Sequence, residues 1–206
     1  MKINIISKRA HWCGILMGVL VALILPLSVP LEVELQVSPL LFAEEKVNGG
    51  VESVSVPLPA HLRIPRIKVD ARVESLGLTK SGALAVPKGP ESVAWYNLGT
   101  RPGEVGNAVL SGHYGWKNHI PAVFDRLRDV RVGDKLSVEN ETGQVITFVV
   151  REVRLYGASD NAVNVFTSTD GKAHLVLITC AGKWSKASKS YPNRLVVFAD
   201  RELTRE

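Results

Sequence analysis

Cysteine is scarce in this chain of 206 residues, which has only Cys13 and Cys180. Cys13 lies in an apolar stretch near the N-terminus and Cys180 lies far along the chain, so we do not expect a disulfide between them. This scarcity excludes the small secreted domains that are held together by several disulfides. Cys180 is then an unpaired thiol, and an unpaired thiol is either a small buried side chain or a reactive group.

Other features are also missing. No run of Lys and Arg interleaved with aromatic residues occurs, so we expect no nucleic acid partner. Asp125, Asp129 and Asp134 do not form the cluster of carboxylates that calcium requires, and we predict structural roles for them, with no metal and no other cofactor. The composition, 46% hydrophobic and 22% charged, fits one globular domain with a short extension.

One long uncharged run is present, at residues 12–31. A run of roughly 20 apolar residues can cross a bilayer as a helix, and three basic residues precede it, which favours a cytoplasmic N-terminus. We therefore predict a cytoplasmic tail over 1–11, a transmembrane signal-anchor over 12–31, and a single-pass protein of the plasma membrane. The alternative is a cleaved signal peptide, because Ala43 in "LLFAEE" stands in a passable cleavage context. Both interpretations put the remainder outside the cytoplasm.

The exported part divides into a stalk and a folded domain. Residues 32–61 mix Pro, Gly, Ser and acidic residues without a sustained period, which indicates an extracytoplasmic stalk. Over 62–206, short β-branched runs alternate with turn signals, and this pattern predicts an all-β domain shaped as a closed or nearly closed barrel. The runs include "ALAVP" at 83–87. Only "PAVFDRLRDV", at 121–130, has the spacing of a helix.

Three residues at predicted strand ends form a candidate site. His113 ends the run "NAVLSGH", Cys180 ends "HLVLITC", and Arg194 opens "RLVVFAD". A nearby imidazolium or guanidinium favours the thiolate, which is the nucleophilic form of cysteine. Histidine can exchange a proton with an amine near neutral pH, and arginine can donate to the oxyanion of an acyl transfer. The trio therefore indicates acyl transfer on a thiol.

The same residues resemble the signature of the sortases, which are membrane-anchored cysteine transpeptidases. In that family the nucleophile stands in T-L-x-T-C, with an arginine a dozen or so residues later. Here 176–180 reads "VLITC" and Arg194 follows 14 residues after Cys180, with Val176 in place of the first threonine. Upstream segments extend the resemblance over roughly 62–200. The detailed pattern is most similar to class F or the neighbouring class D/E enzymes.

The resemblance implies a sortase-type barrel of about eight strands with one or two short helices. It also implies that Cys180 cleaves an LPxTG-like C-terminal sorting signal between Thr and Gly through a thioacyl-enzyme. An amine of a peptidoglycan precursor or of a pilin lysine would then accept the protein. His113 would act as acid and base, and Arg194 would support the oxyanion. Tyr114, Thr179 and Trp184 would contact substrate.

Two other functions fit part of this pattern. An L,D-transpeptidase also uses Cys and His, but its motif has an arginine two residues after the cysteine, whereas Ala181 and Gly182 follow Cys180 here. That spacing argues against it. A non-catalytic, membrane-tethered β-barrel that binds envelope peptides stays open, because such a protein would tolerate loss of the thiol.

Overall fold

The computed structural model describes residues 56–203. The predicted tail, the predicted membrane anchor and most of the predicted stalk lie outside the described residues. Within residues 56–203, no helix has the length and apolar character needed to span a membrane. The first strand begins at Pro59, so the last three residues that we predicted as stalk are part of the folded domain.

Eight strands form a closed barrel in the order β1-β2-β3-β4-β7-β8-β6-β5, with β5 pairing back onto β1. This confirms the predicted barrel of about eight strands. The strands are β1 (Pro59–Ile64), β2 (Val69–Leu76), β3 (Val93–Tyr96), β4 (Gly106–Gly112), β5 (Lys135–Asn140), β6 (Val145–Tyr156), β7 (Ala173–Ala181) and β8 (Asn193–Arg201).

Helical structure in residues 56–203 is limited to short pieces. They are one α-helix, α1 (Val163–Phe166), and three 3-10 helices at Pro65–Ile67, Lys117–His119 and Leu127–Asp129. The predicted strand at 83–87 is wrong, because only an isolated bridge between Leu78 and Leu84 forms there.

The predicted helix over 121–130 is also wrong. The helical spacing of its apolar residues marks burial, as Leu127 and Val130 are both in the core. However, its backbone N–H groups donate to carbonyl oxygens three residues earlier and not four, as from Leu127 to Phe124 and from Val130 to Leu127. The segment therefore forms turns and ends in one turn of 3-10 helix.

Two pairs of neighbouring strands are parallel, β2 with β3 and β4 with β7. The other pairs are antiparallel. Parallel pairing brings the C-terminal ends of β4 and β7 to the same end of the barrel, and the antiparallel pairing of β7 with β8 adds the beginning of β8 there. Three strand ends that are distant in sequence therefore meet.

The barrel interior is filled by one apolar cluster, to which the strands contribute alternate residues. On β7, for example, Leu175 and Leu177 point into this cluster, whereas Val176 and Ile178 belong to a second cluster on the outer face. Strands β4, β7 and β8 are thus buried on both faces. Their sequences consequently read as continuous apolar runs rather than alternating ones.

The segment 157–171 covers the outer face of these strands. Val165 of α1 is buried in the outer cluster beside Tyr156 and Phe198. Asn107 at the beginning of β4 holds the segment, because its Nδ2 donates to the carbonyl oxygens of Asn164, Val165 and Thr167 at 2.8 to 3.3 Å. The segment is therefore part of the folded structure and not a free loop.

A β-bulge divides β6 into two parts. The register with β8 shifts between Val150 and Glu152. Before the bulge, Phe148 and Val150 point into the barrel; after it, Val153 joins that core and Tyr156 joins the outer cluster. The additional residue thus changes which face each later side chain occupies.

His174 fastens the end of segment 157–171 to the barrel. It is only 2% exposed, and its Nδ1 lies 2.7 Å from Asp200 Oδ1 while its Nε2 lies 2.9 Å from Asp170 Oδ1. The hydrogen bond from His174 is the main reason why the pKa of the Asp170 carboxyl is held well below its ordinary value of 3.8, and the Lys172 N–H and the Ser168 hydroxyl add to the effect.

We expect this contact to stabilise the fold only while Asp170 is ionised. A carboxyl whose pKa is lower in the folded state adds stability above its unfolded pKa and loses it as the pH falls further. Asp170→Asn should therefore lower the urea midpoint of unfolding at pH 5, and the difference from the unaltered protein should shrink as the pH falls from about 4 to 2. Glu91→Gln, at an exposed carboxyl, is the control. A difference that stays constant over this range would contradict the assignment.

Candidate active site

Cys180 and Arg194 face each other across the β7–β8 pair. They are register partners in this antiparallel ladder. Alternation along the strands puts Cys180 on the same outer face as Val176 and Ile178, and Arg194 on the same face as Phe198. The thiol and the guanidinium are therefore held on adjacent strands of the barrel wall, outside its packed interior.

His113 follows directly after β4, which is the other neighbour of β7. Its Nε2 lies 2.8 Å from the carbonyl oxygen of Pro87. A carbonyl only accepts hydrogen bonds, so Nε2 carries a proton here, and Nδ1 is the ring nitrogen free to exchange one. The ring also packs edge-on against Trp116, with 4.6 Å between centroids.

A buried hydrogen bond between β4 and β7 fixes the positions of the histidine and the thiol. Thr179, the residue before Cys180, is 3% exposed. Its hydroxyl donates to the carbonyl oxygen of Gly112, the residue before His113, at 2.8 Å. Because this hydroxyl is committed within the protein, the structure gives Thr179 a positioning role, whereas the resemblance implied substrate contact.

Gly112 is also required by close packing. A Cβ at this position would lie 2.5 Å from Cδ2 of Phe124 and 2.8 Å from Cγ1 of Val123. Such contacts are shorter than real Cβ atoms show, and the neighbours are side chains of the buried segment 121–130. The absence of a side chain thus allows that segment to support the backbone beside His113.

Arg194 is held by the chain that precedes it. Its Nη1 donates to the carbonyl oxygens of Tyr191 and Asn193, at 3.1 and 2.8 Å. Within residues 56–203, its Nε and Nη2 have no acceptor and no carboxylate partner. These donors can reach an oxyanion formed near Cys180.

A cavity of about 940 Å³ opens beside Cys180 and His113. Its wall is mainly aromatic, formed by Tyr114, Trp116, Trp184 and Tyr191. Tyr191 is central, since its ring packs edge-on against both Tyr114 and Trp184, at centroid distances of 5.4 and 5.1 Å.

Two of the groups at this cavity have defined electrostatic roles. Burial raises the pKa of the Tyr191 phenol, and the nearby Cys180, Tyr114 and Asp125 groups raise it further, so the phenol stays neutral. Asp125 accepts hydrogen bonds from the backbone N–H groups of Gly115 and Ala122, at 2.6 and 3.0 Å. It therefore ties the loop after His113 to the segment 121–130, in agreement with the structural role predicted for it.

Cys180 also lines a second, smaller cavity of about 140 Å³. Leu84, Val86 and Ile178 supply apolar surface there, and Arg194 lines it as well. The segment 83–87 that we predicted as a strand is instead an irregular wall of this cavity. Cys180 thus lines both an apolar cavity and an aromatic one.

The structure brings His113, Cys180 and Arg194 to one end of the barrel, and Tyr114 and Trp184 line the aromatic cavity. Tyr191 and the Pro87 carbonyl were not among the site groups predicted from the sequence. Tyr191 stands in "KSYPNR", only three residues before Arg194, and its proximity to a candidate residue was the one available signal. Among residues 56–203, no group of acidic, histidine or cysteine side chains could hold a metal ion.

Comparison with known proteins gives a match to one protein family. The family model described as Sortase domain matches residues 62–202. No curated protein sequence gives a significant match.

Solved structures share the fold. Sortase C1 of Streptococcus agalactiae is 25% identical, with 71% of this chain and 68% of that chain covered and a TM-score of 0.55. The lid mutant of sortase A from Corynebacterium diphtheriae is 23% identical, with 72% of each chain covered and a TM-score of 0.56. Sortase C-1 from Actinomyces oris is 21% identical, with 70% of this chain and 73% of that chain covered and a TM-score of 0.56. At such identities the likeness shows the fold, and the class F or class D/E assignment stays a prediction.

We expect Thr179→Val to weaken both the fold and the placement of the thiol. Valine keeps the shape but leaves the buried carbonyl of Gly112 without its donor, which costs about 1–3 kcal/mol. The free energy of unfolding, measured in urea, should fall by this amount, and the alkylation rate of Cys180 should change. Thr179→Ser retains the hydroxyl and is the control. Equal stability of the valine and serine variants would contradict the role of this hydrogen bond.

Proposed function

Because the chain belongs to the sortase family through residues 62–202, an enzyme family of cysteine transpeptidases, we propose that it cleaves an LPxTG-like sorting signal and transfers the protein to an amine. Cleavage falls between Thr and Gly of the signal. The acceptor is an amine of a cell-wall precursor or of a protein lysine such as that of a pilin.

One observation carries this proposal, namely that the thiol, the imidazole and the guanidinium meet at one end of the barrel. Cys180 and Arg194 are paired in register, and His113 lines the same cavity as Cys180. Nucleophile, proton carrier and oxyanion donor are the groups that acyl transfer through a thioester requires. All three stand on the wall of a rigid barrel, which limits their movement.

In the first half-reaction, the Cys180 thiolate attacks the carbonyl carbon of the signal's threonine. A C–S bond forms and the carbonyl oxygen becomes an oxyanion, to which the free donors of Arg194 contribute hydrogen bonds. When the carbonyl re-forms, the bond to the glycine nitrogen breaks. His113 gives its proton to that nitrogen, so the glycine-led tail leaves as a neutral amine and a thioester remains on Cys180.

In the second half-reaction, the acceptor amine attacks the thioester carbon. His113, now neutral, takes the proton that the amine loses, and the thiolate of Cys180 leaves as the new amide forms. His113 therefore returns to its starting protonation state after one cycle. Because the thiol and the imidazole act together, their titration belongs to the pair.

The two cavities suit two substrates. The small apolar cavity beside Leu84, Val86 and Ile178 matches the apolar residues of the sorting signal. The aromatic cavity, which Cys180 also lines, is open to the acceptor amine. In this arrangement Trp184, which is 53% exposed, and Tyr114 contact the acceptor side.

The proposal includes a membrane anchor. Residues 12–31 form the single transmembrane segment, with 1–11 in the cytoplasm and the catalytic domain outside, at the plasma membrane where sorting-signal proteins emerge. The length of the uncharged run and the basic residues before it support this orientation.

We expect the full chain, purified in an uncharged detergent, to cleave a fluorogenic LPxTG peptide. Cys180→Ala should reduce turnover to background, because Cys180 is the only cysteine among residues 56–203. Arg194→Ala should lower kcat about 10²–10³-fold through loss of an oxyanion donor. Arg72→Ala removes an exposed arginine on β2 and serves as the matched control, with turnover unchanged.

Mass spectrometry distinguishes the enzyme from a protein that only binds peptides. Without an acceptor amine, Cys180 should carry the mass of the peptide up to its threonine, and added triglycine should discharge it. An unmodified thiol during active cleavage would refute the covalent mechanism. Binding of the peptide with neither cleavage nor adduct would favour the non-catalytic alternative.

If residues 12–31 span the membrane, a cysteine after the anchor should be accessible from outside the cell and a cysteine before it should not. In a Cys13→Ser, Cys180→Ala background, Ser53→Cys should react with a membrane-impermeant maleimide on intact cells, and Ser7→Cys only after permeabilisation. Labelling of both before permeabilisation, or a mature chain that starts after Ala43, would refute the anchor.

A further inference from the structure

A polar groove of about 630 Å³ lies on the outside of the barrel, away from the candidate active site. Arg154 of β6 and the segment 161–170 form its walls, and Asn107 at the beginning of β4 contributes to it. We call it the donor groove, after Arg154, Asn161, Asn164 and Thr169.

The donor groove is separate from the cavities beside Cys180. Asp170, which also lines it, precedes β7, and the seven steps from Ala173 to Cys180 correspond to roughly 23 Å of extended chain, at about 3.3 Å per residue. Arg154 is nearer to the thiol, because its register partner on β8 pairs with Ile178, two residues before Cys180. No residue of the groove lines the aromatic or the small apolar cavity beside the thiol. A ligand here would therefore not be the substrate at Cys180.

Arg154 is an oriented cation without an acidic partner. Its guanidinium lies over the ring of Tyr156, 4.9 Å from the centroid, and within residues 56–203 no carboxylate pairs with it. Arg151, the other arginine of the groove, differs because its Nε is bonded to Asp200 at 2.9 Å. Of the two arginines, Arg154 is thus the one whose guanidinium N–H groups are free of a carboxylate partner.

The two asparagines present donors as well. Asn161 Oδ1 accepts from the backbone N–H of Val163, and Asn164 Oδ1 accepts from the Tyr156 hydroxyl, each at 3.0 Å. Because both oxygens are committed, the amide orientation is fixed and the Nδ2 groups have their protons free. Among the described residues, the hydroxyl of Thr169 has no hydrogen-bond partner either.

The one acid of the groove, Asp170, is already satisfied. Its oxygens accept from His174 Nε2, from the Ser168 hydroxyl and from the backbone N–H of Lys172. It is therefore not free to bind a cation or to pair with Arg154. One acceptor of the groove, Asn107 Oδ1, has no partner, but it is buried. The unused groups on exposed side chains of the groove are donors, together with the positive charge of Arg154.

We propose that the donor groove binds a phosphate-type oxyanion, such as the phosphodiester of an anionic polymer or of a phospholipid headgroup. A planar guanidinium recognises phosphate oxygens by paired hydrogen bonds. A tetrahedral oxyanion has oxygens on several sides and can also accept from the two amides and the hydroxyl, which a single carboxylate satisfies less completely. The site lies on the outside of the barrel, where a polymer or headgroup can reach it.

The test uses the full ¹⁵N-labelled chain in uncharged detergent at constant ionic strength. Sodium phosphate should shift the side-chain amide signals of Asn161 and Asn164 saturably. Arg154→Gln should weaken this binding about tenfold or more, since a charge-assisted contact is lost. Arg72→Gln, which makes the same charge change on β2, should leave it within twofold.

Two further titrations identify the source of the phosphate. A short glycerol phosphate oligomer and monomeric dihexanoyl phosphatidylglycerol carry the same phosphodiester, and the one that binds more tightly identifies polymer or lipid. Peptide cleavage by Arg154→Gln should equal that of the unaltered chain, because Arg154 lines neither cavity beside Cys180. Absence of saturable shifts with all three ligands, or equal weakening by Arg154→Gln and Arg72→Gln, would overturn the proposal.

Discussion

The parallel pairing of β4 with β7 is the constraint on which the site depends. Without it, the ends of two strands separated by more than sixty residues would have no reason to meet. The bond from the Thr179 hydroxyl to the Gly112 carbonyl is located at the last step of this pairing, one residue before each reactive side chain. A buried hydrogen bond is costly to leave unmade. The same hydrogen bond that stabilises the fold therefore also fixes the relative positions of His113 and Cys180.

The covering of the outer face determines where chemistry is possible. Val176 and Ile178 on β7 are buried in the outer cluster, beneath segment 157–171. Cys180, two residues further on the same face, is only partly buried, since it lies where that cover ends. Regular alternation along β7 therefore puts two core residues and then the nucleophile on the same face, with no change in strand geometry.

The strand ends that carry the candidate site could be predicted from the sequence, because each is marked by an apolar run. The apolar runs before His113 and Cys180 and after Arg194 are long because those strands are buried on both faces. The prediction of a helix over 121–130 failed because the spacing of apolar residues indicates which side chains are buried and does not indicate which hydrogen bonds the backbone makes. Tyr191 and the Pro87 carbonyl could not be predicted, because their positions depend on irregular segments whose paths follow from tertiary packing.

The bulge in β6 reverses the alternation of the strand. Side chains along a strand point alternately to the core and outward, and one inserted residue moves every later side chain to the opposite face. Here the shift lies between Val150 and Glu152, and it puts Tyr156 in the outer layer, where its ring supports Arg154 and its hydroxyl orients Asn164. The one residue inserted at the bulge therefore determines which chemical groups this side of the barrel presents to its surroundings.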